Sequence, residues 1–245
     1  GVSPGTVSRV LNNRMGKMQV SEATRKLIFQ CAEELDYQPN INARRLFSKR
    51  SGVLGFVIPS FREVHKNVFG DIHIINLLNG IEEVLSVRKY KLMILFNDRE
   101  FVESRDYLSF FRSKQVDGLL IWGAHRHEVF WNELTDKNYP HVFVTTYPDG
   151  LQNMDSVFAA DYTGAGYDIM TYLLKKGYKK ILWAKPQDDT SISSEIKTGI
   201  DKALQENPGK REFREIPCHY SQIAGYELME KIHRARLDFS VVLFT

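Results

Sequence analysis

The sequence predicts an α/β protein whose parallel sheets are wound by helices, joined to a small basic helical segment at its start. Three observations carry that prediction. From residue 53 onward, short apolar runs alternate with amphipathic stretches of helical period, the pattern of strands linked by right-handed crossovers. Runs such as VLGFVI and GLLIW are apolar throughout, which fits strands covered on both faces. Residues 1–50 contain no such run, and the positive charge of the chain is concentrated there.

The elements follow in chain order. Ser3 before Pro4 reads as a helix cap with proline at the first helical position. Val7, Val10 and Leu11 then make one apolar stripe. A polar loop spans 12–19. Ser21 caps a second helix, with Thr24, Leu27, Ile28, Cys31, Ala32 and Leu35 at helical spacing. Tyr37-Gln38-Pro39 stops it, because the residue before proline avoids the helical region. A short third helical element is expected at 42–47. Strands are predicted at 53–58, 91–96, 118–122, 141–145, 156–160, 180–184, 214–217 and 240–244. Helices are predicted at 72–87, 103–113, 129–135, 162–176, 194–205 and 224–234. The polar stretch 147–155 interrupts the rhythm and marks passage from one lobe to another. The predicted domains are therefore 1–51 and 52–245, the latter with lobes at 52–155 and 156–245.

The 245 residues are 43% hydrophobic and 26% charged, ordinary for a globular protein and enough to bury a sizeable core. No apolar run is long enough for a membrane span, so no membrane role is expected. GVSPGTVSRV is not a charged start followed by an apolar stretch, so no secretory signal is expected. Cys31 and Cys218 lie far apart and form no CxxC, which fits a reducing cytoplasm and argues against structural zinc. Residues 1–51 carry nine Lys/Arg against four acids, whereas the remainder is slightly acidic. A basic segment on a near-neutral body points to an anionic partner for that segment, or else to a solvated basic face.

The segment VSPGTVSRVLN has the make-up of a helix that reads the major groove. Ser3, Thr6 and Ser8 supply hydroxyls for phosphates. Arg9 supplies a fork able to take both guanine acceptors, and Val7, Val10 and Leu11 pin the opposite face. On periodicity alone it is also any amphipathic helix.

GVSPGTVSRVLNN, then VSEATRKLIFQCAEELDYQPN, then ARRL resembles the DNA-binding region of the lactose/galactose-repressor (LacI/GalR) family of bacterial transcription regulators. The resemblance implies a helix-turn-helix headpiece and a hinge helix ahead of a two-lobed, periplasmic-binding-protein-like core, the second lobe incomplete here. It implies that Pro4, Gly5 and Arg9 sit at base-reading positions and Ser3, Thr6 and Ser8 at phosphate-facing ones. Asn40, Ala43 and Leu46 match the hinge, where Leu46 takes the place of an apolar wedge that unstacks a base step. QVDGLLIWG and VFAADYTGAGYDIMTYLLKKGYKKI extend the likeness into the core. Compared with the family, the first headpiece helix is absent, the loop at 13–19 is longer, and the chain stops after SVVLFT. A chain cut at both ends is expected, and this fragment is expected to bind DNA poorly.

In parallel α/β lobes, ligands bind outside the carboxyl ends of strands. That places 59–73, 122–127, 145–147, Asp161 and 219–220 around one cleft. Sugars combine apolar faces with hydroxyls, so their sites join aromatic platforms to carboxylates and amides. By resemblance Asp161 contacts the effector, although directly before a helix it also reads as an N-cap. Tyr220 and Tyr147 match aromatic positions of the family, or are half-buried tyrosines. His73 takes the place of another aromatic, and Trp122 borders the same cleft. The family's sugar binders usually carry an arginine three residues before Gly199. Ile196 stands there, with Lys197 beside it as a point donor, which favours an effector bearing an acidic or acceptor-rich group.

No catalytic residues, metal or cofactor are expected. GxSxG, GxxxxGK[ST], HExxH and GxGxxG are all absent. Gly164-Ala165-Gly166 reads as close helix–sheet packing. Asp188-Asp189 lies on a polar loop with nothing to raise a pKa. His125-Arg126-His127 lacks a third metal partner. The expected protein is thus a cytoplasmic transcription regulator, a repressor, that binds operator DNA as a homodimer under control of a small polar, sugar-like effector. The alternative is a periplasmic-type solute-binding protein with no DNA role. The apolar residues Ile75, Leu77, Leu78, Ile81, Val84 and Leu85 on the helix at 72–87 exceed one stripe. They predict a two-fold interface, or a helix buried in the first lobe.

Overall fold

The computed structural model describes residues 1–12, 19–37, 50–60, 72–187, 190–219 and 221–245. The helical element expected at 42–47, the loop at 13–18 and the pair Asp188-Asp189 lie outside the described residues.

Helices α1 (Pro4–Leu11) and α2 (Glu22–Glu34) open the chain. Each is started by the serine that the sequence marks. Ser3 Oγ accepts the Thr6 N–H at 3.1 Å and Ser21 Oγ accepts the Thr24 N–H at 3.2 Å. The two helices lie against each other, and Val10 of one and Ile28 of the other are buried.

Strand β1 (Val53–Pro59) pairs in parallel with β2 (Lys91–Asn97) on one side and β3 (Gly118–Trp122) on the other. β4 (His141–Val144) and β5 (Val157–Phe158) extend the sheet beyond β3, giving the order β2-β1-β3-β4-β5. A second parallel sheet has the order β7-β6-β8, from β6 (Lys180–Pro186), β7 (Glu212–Cys218) and β8 (Val241–Phe244). Both central strands are buried on both faces. Ile181 and Trp183 enter one core with Met170 and Ile200, whereas Leu182 and Ala184 enter another with Leu228 and Ile232. Phe143, Ile121, Val57 and the fully buried Trp131 form the core of the first sheet.

The helices between strands are α3 (Ile72–Arg88), α4 (Arg99–Glu103), α5 (Asp106–Arg112), α6 (Asn132–Asp136), α7 (Tyr162–Lys175), α8 (Ser191–Glu206) and α9 (Gln222–Arg234). Two of the predicted elements that differ are reshaped by the core. The single helix at 103–113 is two short ones, because Arg105 takes φ 57 and turns the chain. That turn lets Phe101 and Tyr107 both enter the core, and Arg105 pairs with Glu133. The strand at 156–160 shrinks to Val157–Phe158 and joins the first sheet. Asn153 caps a 3₁₀ turn at Met154–Ser156, and the Tyr162 N–H bonds to the Ala160 carbonyl, so neither end can extend.

Residues 51–52 are tied to the core. The N–H groups of Ser51 and Gly52 donate to the two Asp117 carboxylate oxygens at 2.6 and 2.8 Å. Burial pushes the Asp117 carboxyl up, but these hydrogen bonds outweigh it and hold the group below the ordinary carboxylate range.

Gly166 and Gly199 let α7 and α8 touch backbone to backbone. A Cβ on Gly166 would lie 2.3 Å from the Ile196 carbonyl oxygen, and one on Gly199 would lie 2.0 Å from that of Thr163. The glycine run therefore serves helix–helix packing, where the sequence pointed to helix–sheet packing. Gly199→Ala is expected to destabilise the protein by about 2–3 kcal/mol, because the obstacle is rigid backbone. A urea midpoint within error of wild type would count against this close contact.

Candidate functional site

In each sheet the connection reverses direction beside the first strand. β1 is flanked by β2 and β3, and β6 by β7 and β8. The loops after such strands diverge and leave a crevice at their carboxyl ends. At the first crevice Gly123 follows β3 with φ 76, and a Cβ there would lie 2.6 Å from Pro59, so the ends of β1 and β3 nearly touch. Trp122, the last residue of β3, lies against His73 at the start of α3, with ring centroids 6.0 Å apart.

The segment after β4 reaches the head of α8. The Tyr147 N–H donates to Ser191 Oγ at 3.3 Å, and the Tyr147 hydroxyl donates to the Glu195 carboxylate. Burial first, then the Glu195 hydrogen bond and charge, push the Tyr147 phenol up to about 12. Burial and the same carboxylate also raise Tyr162. Glu195 thus bonds Tyr147 from the first-sheet side and acts through its charge on Tyr162 at the start of α7. The hydroxyls of Thr146 and Thr190, next in sequence to Tyr147 and Ser191, and of Ser193 in the first turn of α8 are buried with no hydrogen-bond partner. Thr190 stands at the cap position of α8 but its side chain caps nothing.

The residues predicted for the effector divide as follows. His73 and Trp122 are brought together. Tyr147 faces the head of α8, with its hydroxyl engaged by Glu195. Asp161 caps α7, its Oδ1 accepting the Gly164 N–H at 2.7 Å, and it is exposed beside Tyr162. The Lys197 ammonium bonds Asp201 at 2.6 Å and pairs with Glu215 at 3.4 Å. A lysine one turn before an aspartate on the same helix finds that partner first. Ile196 packs in the core of the second sheet. Tyr220 lies outside the described residues. Glu195, Ser191 and the three hydroxyls were missed by sequence reasoning. A serine-rich start to a helix was their only signal.

In the basic segment, Pro4 opens α1, Ser3 and Thr6 bond each other at 3.0 Å, and Gly5, Ser8 and Arg9 are exposed. Asn12 turns back on Ser8, its amide donating to the Ser8 carbonyl at 2.7 Å. Val10 is buried on the opposite face. Asn40, Ala43 and Leu46 lie outside the described residues. His125 and His127 stack at 5.5 Å, Arg126 pairs with Asp149 at 3.0 Å, and no metal-ligand group occurs among the described residues. No described helix is long and apolar enough to cross a membrane.

Fold and site together define a parallel α/β binding core that follows a helix-turn-helix segment. The profile of "Bacterial regulatory proteins, lacI family" matches residues 1–40, and that of "Periplasmic binding proteins and sugar binding domain of LacI family" matches residues 51–234. The chain belongs to the LacI family. It is similar to the HTH-type transcriptional regulator RegA of Clostridium acetobutylicum, 32% identical over 176 residues, 72% of this chain and 49% of that protein. It is also similar to catabolite control protein A of Streptococcus mutans, 28% identical over 235 residues, 95% of this chain and 66% of that protein. The chain thus spans about half to two thirds of the length of these relatives. Among solved structures, the lac repressor dimer bound to operator and the anti-inducer ONPF has a TM-score of 0.70 at 21% identity, over 100% of this chain and 70% of that one. The CelR–cellobiose complex has a TM-score of 0.63 at 23% identity, over 100% of this chain and 71% of that one. Both likenesses show the fold.

The Tyr147 shift gives a signed expectation. As pH rises from 10 toward about 12, the unfolded chain loses this proton while the folded protein keeps it, so stability falls through that window. Denaturant midpoints across it should fall less steeply in Glu195→Gln, which removes the carboxylate but leaves the burial. Equal slopes would show that Glu195 does not act on Tyr147.

Proposed function

We propose that the protein is a cytoplasmic, sequence-specific DNA-binding transcription regulator, a repressor, whose operator affinity is set by a small polar effector of the sugar type. The observation that carries this is the union, in one chain, of a serine-capped helix presenting Arg9 with strand-end residues that bring His73 to Trp122 and Tyr147 to Ser191 and Glu195. Residues 1–51 form the DNA-binding part, with Ser3, Thr6 and Ser8 toward phosphates and Pro4, Gly5 and Arg9 toward bases. Asn40, Ala43 and Leu46 act at the hinge. Residues 52–245 form the effector-binding part, with lobes at about 52–155 and 156–245, and β5 of the second segment pairs with the first sheet. His73, Trp122, Tyr147, Asp161 and Tyr220 meet the effector. The relatives it matches being transcriptional regulators supports this reading, as does the operator bound in the lac repressor structure.

Arg9→Ala in the full-length protein is expected to cost about 1–3 kcal/mol on a duplex selected from a random pool, and to relax preference at one base pair. Equal loss on every sequence would make Arg9 a phosphate contact. Affinity should fall steeply with salt, because several phosphates are neutralised.

The protein acts as a homodimer in this reading, through α3 and the edge strand β2. Ile74 and Leu85 anchor α3, while Val84 and Val87 are 58% and 80% exposed, and Ile94 and Phe96 on β2 also face outward. Such an apolar patch on an edge calls for a partner. Sedimentation of the full-length protein at micromolar concentration should give a dimer, and Val84→Asp with Val87→Asp should give monomers. A monomeric wild type would remove this interface.

A further inference from the structure

We infer that Glu195 selects the effector: its carboxylate accepts a hydroxyl proton from a neutral, hydroxyl-rich ligand, and Tyr147 holds that position while the cleft is empty. The inference rests on the effector cleft proposed above and names the ligand class that the cleft takes.

Tyr147 follows a strand of the first sheet, whereas Glu195 and Ser191 belong to the first turns of α8 against the second. The phenol hydroxyl that Glu195 accepts is the same kind of donor as a sugar hydroxyl. A ligand hydroxyl can therefore replace it without leaving the carboxylate unpaired. The unpartnered hydroxyls of Thr146, Thr190 and Ser193, 4%, 9% and 5% exposed, flank the residues that make this contact. A ligand hydroxyl donates and accepts, so it satisfies such groups in either orientation. A ligand carboxylate or phosphate can accept from the Ser and Thr hydroxyls but offers no proton to the Glu195 carboxylate.

Charge points the same way. Acting on Tyr147 are the charges of Glu195 and Asp149 against Arg126, which Asp149 engages. Lys197 is turned to Asp201 and Glu215, and Ile196 is in the core. An acidic ligand would bring a like charge to Glu195. The acidic effector that the sequence favoured is thereby replaced by a neutral one.

The test is calorimetric titration of the full-length protein with glucose, galactose and cellobiose, set against glucuronic acid and glucose 6-phosphate. A neutral sugar should bind, and the acids should bind at least about tenfold more weakly. Glu195→Gln should weaken the neutral sugar about tenfold and narrow the gap to the acids. Tyr147→Phe, which keeps the ring but frees Glu195, should tighten it about threefold. Glu195→Asp, which keeps the charge, should keep the discrimination and guards against a folding defect in the amide variant. An acid binding as tightly as its neutral counterpart, unchanged affinity in Glu195→Gln, or no binding by any of the five compounds overturns the inference. A Trp122→Ala, Asp161→Ala control separates it from the reading beneath. If that control weakens the sugar and Glu195→Gln does not, only the role of Glu195 falls. If the control leaves the sugar unaffected, the cleft itself is misplaced.

Discussion

Parallel pairing is the constraint on which the rest of this structure depends. Every strand in both sheets runs the same way as its neighbours, so the carboxyl ends of each sheet lie along one edge. Side chains distant in sequence arrive there without any local signal: Trp122 from β3, Tyr147 after β4, and Thr190 and Ser191 after β6. The reversals at β1 and β6 open a crevice where the backbone would otherwise be paired. The close approach at Gly123 and Pro59 shows how tightly the first of these is drawn.

The platform beneath the site is stiff where it must be. α7 and α8 meet through Gly166 and Gly199, so Asp161, Tyr162, Ser191 and Glu195 sit on two helices packed backbone against backbone. The described bridge to the first sheet is slight by comparison: two hydrogen bonds from Tyr147, beside three unsatisfied hydroxyls. Buried polar groups without partners are costly, so this junction gains when something polar fills it. A ligand that fills it in one arrangement and not the other shifts the equilibrium between them. The same first sheet holds residues 51–52 through Asp117 at the foot of β3, on the body that Tyr147 also belongs to.

Much of this was legible in the sequence, for physical reasons. Ser3-Pro4 and Ser21 announce helix starts because a side-chain oxygen next to free N–H groups is a local property. VLGFVI and GLLIW announce buried parallel strands because both faces must be apolar. Legibility failed where long-range contacts decide. Arg105 breaks a good helical pattern because Phe101 and Tyr107 must both reach the core. β7 reads as a short strand from its charged residues, yet seven residues pair along β6, with Glu212 and Arg214 paired to each other. Lys197 looked like a free donor until its helix set it beside Asp201. Glu195 went unnoticed because its partner is 48 residues away.

In the function proposed above, the cleft and the basic helix are thermodynamically coupled. The direct measurement is the affinity of the full-length protein for its selected duplex with and without a saturating neutral sugar, together with the affinity for that sugar with and without the duplex. Both should change by one and the same factor, about fivefold or more, because coupling between two sites is reciprocal. A sugar that binds the cleft and leaves the duplex affinity unchanged would contradict it.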